Sequence, residues 1–168
     1  TKVGSSAIAL PDSLPGGKPR FVEPMKPKLV DTPPLESGWI YELKFDGFRT
    51  LTIKTGAKVK LLSRNENDLS KKFDAIASAL ATLPCAECVI DGEVVALDEA
   101  GRSSFQLLQA REMEGREEPL SYYVFDLLQL NGKNLSALPL TTRKQMLRQL
   151  CDGAGEPIRY SGELGDDP

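Results

Sequence analysis

Histidine is absent from the 168 residues. That absence removes Ser-His and Cys-His catalysis and every histidine-containing metal site, leaving nucleophilic and acid-base chemistry to Lys, Asp, Glu and Arg. Cysteine is scarce, with three in all. Cys85 and Cys88 form a C-x-x-C pair and Cys151 stands apart, short of the four ligands of a structural zinc site, so the pair reads as structural. Neither a signal peptide nor a long apolar run is present. Together with the few cysteines this leads to the expectation of a reducing cytoplasm and no membrane partner. A strong net charge is also lacking. At a formal −3, bulk charge makes no case for nucleic-acid binding and leaves only a local basic groove. What remains, 40% hydrophobic and 27% charged, is ordinary for one soluble globular domain that closes a core without a staple.

Residues 1–20 are rich in Gly, Ser and Pro and end in Leu14-Pro15-Gly16-Gly17-Lys18-Pro19. This predicts a flexible tether continuing from a longer polypeptide. Pro24, Pro27, Pro33 and Pro34 keep the next stretch extended. Trp39-Ile40-Tyr41 carries strand residues. Thr50 to Lys54 and Lys58 to Ser63 alternate around Thr55-Gly56, a hairpin pattern. Leu69, Phe73, Ile76, Leu80 and Leu83 recur at three and four residues, predicting an amphipathic helix that ends at Pro84. Cys88 to Asp98 and Ser121 to Leu130 read as strands, the second closed by Asn131-Gly132. Ser103 with Gln106, and Thr142 with Gln145, have capping-box spacing before two further helices. Ile158-Arg159-Tyr160 begins a last strand, followed by an acidic end. Strands outnumber helices and hairpins dominate the first half, so the expected class is α+β, with largely antiparallel sheets and flanking helices.

Chemistry concentrates in Tyr41-Glu42-Leu43-Lys44-Phe45-Asp46-Gly47-Phe48-Arg49. Lys44 is placed at a strand end, where the Asp46-Gly47 turn can lift it into a cleft. An amine is nucleophilic only when neutral, which needs burial or a nearby positive charge such as Arg49 or a metal ion. The plainer alternative is a solvated lysine on a hairpin, with Asp46 as turn former. In Val89-Ile90-Asp91-Gly92-Glu93-Val94-Val95, period-two alternation puts Asp91 and Glu93 on one face among apolar neighbours, where two carboxylates need partners unless that face is solvent. Gly92 between them allows close backbone approach. Arg64, in Ser63-Arg64-Asn65, ends the second hairpin strand as a phosphate or ribose contact or as a surface cation. Tyr123, Phe125 and Leu127 are expected on one face, as core or as a platform for a base.

Taken in order, these segments resemble the covalent nucleotidyltransferase superfamily, and most closely the ATP-dependent DNA ligases. Phe21-Val22-Glu23-Pro24-Met25, Arg143-Lys144 and Ile158-Arg159-Tyr160-Ser161 look like the ligase domain of bacterial end-joining ligases. The resemblance spans roughly Phe21 to Ser161 and implies an adenylation domain of ATP-grasp-like fold. It implies that Lys44 attacks the α-phosphate of ATP to form a lysyl-AMP intermediate. AMP then passes to a DNA 5′-phosphate, and a 3′-hydroxyl displaces it. On the family pattern Glu42 matches the acid that reads the adenine amino group, and Phe125 the ring that stacks on adenine. Arg49 and Arg64 match ribose or phosphate contacts, Glu93 the acid that binds ribose or serves Mg²⁺, and Asp46 the aspartate of the later steps. Implied partners are nicked or broken double-stranded DNA and a Ku-type end-binding protein.

The family pattern continues with an E-G-[IV] segment, a K-x-K segment and an OB-fold domain, none of which follows Ser161. Residues 21–168 are therefore expected to be a partial adenylation domain, inactive or very weak alone. Two rivals remain at this point: an RNA ligase or capping-type enzyme, and a non-catalytic nucleotide-binding fragment.

Overall fold

The computed structural model describes residues 8–34, 36–115 and 119–164. The elements are β1 (Phe48–Thr55), β2 (Lys58–Ser63), α1 (Asp74–Ala81), β3 (Glu87–Ala96), α2 (Phe105–Glu114), β4 (Leu120–Leu130), β5 (Lys133–Asn134), α3 (Leu140–Leu150) and β6 (Ile158–Tyr160). One six-stranded sheet has the order β2-β1-β3-β4-β5, with β6 added to β4. Every pairing is antiparallel except the parallel β6 on β4. The α+β expectation holds.

Register explains the two faces of the sheet. Thr52↔Ile90, Phe48↔Val94, Ile90↔Leu127 and Val94↔Tyr122 share one face, and Leu61, Ile76, Leu80, Leu147 and Leu150 complete the core with them. The opposite face carries Arg49↔Glu93, Leu51↔Asp91, Glu93↔Tyr123 and Asp91↔Asp126. Strict alternation fails in β4. Phe125 is skipped between Gly92↔Val124 and Asp91↔Asp126, and Leu128 between Ile90↔Leu127 and Val89↔Gln129. Each bulge inserts a residue and turns the rest of the strand over. Leu127 therefore lies in the core, fully buried, and does not share a face with Tyr123.

Gly92 serves this core. A Cβ there would stand 2.6 Å from Tyr122 Cε2 and 2.6 Å from the Tyr123 carbonyl. Without one, the Tyr122 ring crosses β3, and its hydroxyl donates to the Thr50 carbonyl at 2.8 Å and accepts from Thr52 Oγ1 at 3.0 Å.

Four local expectations change. Trp39 to Tyr41 form no strand, because pairing there stops at an isolated Glu42↔Glu163 bridge and a Leu164 N–H bond to the Tyr41 carbonyl. β propensity without a partner strand does not make a ladder. The α2 cap is Ser104, whose side chain accepts from Leu107 N, while Ser103 Oγ accepts from Asp46 N. Helix α3 opens at Leu140 behind Pro139, with Thr142 inside its first turn. The tether reading fails for residues 8–17. Leu14 is buried in the core, Gly16 bridges Lys133, and Pro15 accepts from Asn134 N. Residues 1–7 and 165–168, parts of the expected tether and acidic end, lie outside the described residues.

The cysteines are free. A hydrogen bond with Cys88 lowers the Cys85 thiol and raises that of Cys88, while burial pushes Cys151 up to about 12. A raised thiol is unreactive, which fits a structural role for Cys88 and Cys151 but not for the lowered, half-buried Cys85.

Candidate active site

Three contacts fix the loop that carries Lys44. Gly47 N–H donates to Glu93 Oε1 at 2.9 Å, Asp46 N–H donates to Ser103 Oγ at 3.0 Å, and Asp46 Oδ2 accepts from Phe105 N at 3.2 Å. The last contact sets the Asp46 carboxylate on the first turn of α2, where free N–H groups and the helix dipole favour negative charge. Gly47 is required by space, because a Cβ would lie 2.2 Å from the Val94 carbonyl oxygen. Lys44 itself is exposed at the lip of the sheet, near enough for its charge to act on Glu93. No incoming strand ends at Lys44; the pinned loop places it instead.

Behind the loop, the register aligns a row of side chains across the sheet. Arg49 pairs with Glu93, Glu93 with Tyr123 and Tyr123 with Arg159. Arg64 follows Ser63, the partner of Thr50, which sets it beyond Arg49 at the end of the same row. Arg64 is exposed, with no partner among the described residues. Arg49 makes two 2.7 Å bonds to Asp91, from Nε to Oδ1 and from Nη2 to Oδ2, so Asp91 has its partner. Burial pushes the guanidinium down, but the Asp91 bonds outweigh it and leave Arg49 raised. Burial holds the Glu93 carboxyl above its usual range, against the pull of Gly47 N–H, Arg49 and Lys44.

Two rings meet cations here. The Arg49 guanidinium lies 4.6 Å from the centre of the Phe125 ring. The Tyr123 ring stacks on Phe45 at 4.3 Å, and its hydroxyl accepts from Arg159 Nη1 at 3.1 Å. Arg49 thus joins the carboxylate pair to the aromatic side of the site.

Glu42 is placed from a distance. Its Oε1 accepts from Lys144 Nζ on α3, and that ammonium also donates to the carbonyls of Phe125 at 3.3 Å and Ser161 at 3.2 Å. Next to it, Arg143 makes a bidentate pair with Asp126 at 2.8 and 3.0 Å. Sequence reasoning gave Lys144 no role. Its sequence signal is its place in the Arg143-Lys144 segment of the resemblance; in the structure α3 buries it to 1% exposure.

The arrangement suits an anion beside an aromatic group. Lys44, Arg49 and Arg64 supply positive charge, Phe125 a ring, and Glu42 and Glu93 acceptors. Among the described residues no group of three or more His, Cys, Asp or Glu gathers to hold a metal. Glu93 alone fits the one or two carboxylates with which Mg²⁺ is held when phosphates complete its shell. Among the described residues, no helix is long and apolar enough to cross a membrane.

Comparison with known proteins gives the chain a family. The model of the ATP dependent DNA ligase domain matches residues 24–163. The chain is 40% identical over 157 residues to the multifunctional non-homologous end joining protein LigD of Pseudomonas aeruginosa, covering 91% of this chain and 19% of that protein. It is 34% identical over 156 residues to DNA ligase C2 of Mycolicibacterium smegmatis, covering 88% of this chain and 43% of the relative. Among solved structures, mycobacterial DNA ligase D complexed with ATP and MES superposes with a TM-score of 0.66 at 31% identity, over 77% of this chain and 41% of that one. The chain thus spans less than half the length of these relatives. With a family model covering most of its length and a relative 40% identical over 91% of it, the chain belongs to the ATP-dependent DNA ligase domain family.

Proposed function

We propose that this chain is the adenylation domain of an ATP-dependent DNA ligase that acts in end joining, with Lys44 as the nucleophile. The observation that supports the reading is the Lys44 loop, pinned through Gly47 to Glu93 and through Asp46 to Ser103, beside the paired Arg49 and Glu93. Lys44 Nζ, having given up its proton, attacks the α-phosphorus of ATP. The N–P bond forms as the bond to pyrophosphate breaks, and pyrophosphate leaves. A DNA 5′-phosphate oxygen then attacks the same phosphorus and breaks the N–P bond. A 3′-hydroxyl finally displaces AMP and closes the strand.

Each residue has a physical task. Arg49 and Arg64 neutralise phosphate charge, and Phe125 and Glu42 hold the base by its face and its edge. Asp46, fixed on α2, takes part in the later transfers. Glu93 and the phosphates would hold Mg²⁺, which supplies charge neutralisation at the transferring group. Phosphoryl transfer of this kind is mostly positioning and electrostatics. The substrate is nicked or broken double-stranded DNA in the cytoplasm, and a Ku-type end-binding protein is the proposed partner.

The test is a chase. Incubated with ATP labelled at the α-phosphate, an intact ligase that carries this domain becomes labelled, and addition of a nicked duplex moves the label to DNA and then to free AMP. Label acquired equally from γ-labelled ATP would overturn the reading, because that phosphate leaves with pyrophosphate.

A further inference from the structure

Lys144 is buried to 1% exposure, yet it faces three oxygens and the Tyr160 ring, 5.4 Å away. An ammonium has three donors and no acceptor. Here the donors go to Glu42 Oε1, the Phe125 carbonyl and the Ser161 carbonyl, which saturates the group. The Phe125 acceptor exists because that residue is skipped in the β3–β4 pairing. Among the described residues, the other ties of the Glu42 segment are its isolated bridge to Glu163, the neighbouring Leu164 bond and the Tyr41 hydroxyl, which donates to the Pro34 carbonyl. A single ammonium therefore sets both the carboxylate and the backbone beneath the ring.

We infer that Lys144 is a positioning residue for base selection, a role that rests on reading Glu42 and Phe125 as the nucleotide's base pocket. With Oε1 held by Lys144, Glu42 has Oε2 without a partner among the described residues, and its side chain is 32% exposed. That oxygen accepts from a purine 6-amino group and repels a 6-oxo group. A site built to hydrogen-bond a substrate NH rejects an analogue lacking it, because its polar group is left unpaired. Selection needs the carboxylate held still. Lys144 does this from α3, without touching the nucleotide.

In an intact ligase that carries this domain, the test measures dissociation constants for ATP and inosine triphosphate, which differ at the 6-position, together with the α-phosphate labelling rate at saturating ATP. Lys144→Met and Lys144→Gln are each made alone and combined with Glu42→Gln. The Lys144→Gln change keeps a donor for the carbonyls, which guards against loss of fold. The expected result is a roughly tenfold or larger fall in the ATP-over-inosine ratio, with the saturated labelling rate changed far less. Lys144→Arg should restore much of the preference. In the Glu42→Gln background, changing Lys144 should lower the ratio no further. A wild-type ratio in a folded Lys144 variant overturns the inference, as does an equal fall with and without Glu42→Gln, which would assign Lys144 to general packing. Wild-type protein that binds neither nucleotide would overturn the functional reading itself.

Discussion

Replacing Gly47 with alanine tests how the Lys44 loop is held. The new Cβ would stand 2.2 Å from the Val94 carbonyl oxygen and 2.9 Å from Val95 Cγ1. The first contact is backbone inside β3, which cannot rotate aside, so the loop has to lift. Lifting lengthens the 2.9 Å bond from Gly47 N–H to Glu93. Overpacking costs about 1–3 kcal/mol, and a hydrogen bond to a charged group is worth about 1.5–3 kcal/mol. The two overlap, because a lifted loop has already relieved part of the clash, so the sum is roughly 2–4 kcal/mol. In a domain of this size each kcal/mol lowers Tm by about 2–4 °C, which predicts a fall of roughly 5–15 °C. The loop carries Lys44, so labelling of the intact ligase from α-labelled ATP, measured well below the variant's Tm, should drop by about 10²-fold, the scale of a 1 Å misplacement. Calorimetry with a labelling time course reads both. A Gly47→Ala protein with wild-type Tm and wild-type labelling would refute the account of this loop.

Two further perturbations separate the parts of the site. Phe125→Ala should weaken ATP roughly tenfold if base stacking is worth about 1–3 kcal/mol here, and an unchanged dissociation constant in a folded variant would leave Phe125 only its contact with Arg49. Glu93→Gln keeps an acceptor for Gly47 but removes the charge. Burial raises this carboxyl above its ordinary value of 4.5, so the folded state binds the proton more tightly than the unfolded one. Wild-type stability therefore falls as pH rises from 4.5 through the raised folded value. The stability of the variant relative to wild type should increase over that window and then level off, and a denaturant-midpoint difference independent of pH would contradict it.

The parts of this molecule that could be read from sequence are those set by neighbours along the chain. Period two in β3 correctly put Asp91 and Glu93 on one face, because side-chain direction follows from the pleat alone. The spacing of Phe73, Ile76 and Leu80 found α1. What escaped depends on distant partners. The bulge at Phe125 arises from the fit of β4 on β3, and it moved Leu127 into the core against the alternation. Trp39 to Tyr41 have strand residues and no ladder. Residues 8–17 have tether composition but pair with β5 and bury Leu14. The bond between Lys144 and Glu42 joins positions 102 residues apart, beyond any local pattern. Spacing assigned the helix cap to Ser103, but Ser104 caps α2 while Ser103 holds the Asp46 loop.

The most direct measurement is to locate the covalent adduct. An intact ligase that carries this domain is incubated with ATP and Mg²⁺, digested, and its peptides sequenced by mass spectrometry under neutral conditions that preserve a phosphoramidate. The account predicts AMP on the peptide containing Lys44, attached at that lysine, and none in Lys44→Ala. AMP on any other residue, or an adduct that survives the Lys44→Ala change, would contradict it.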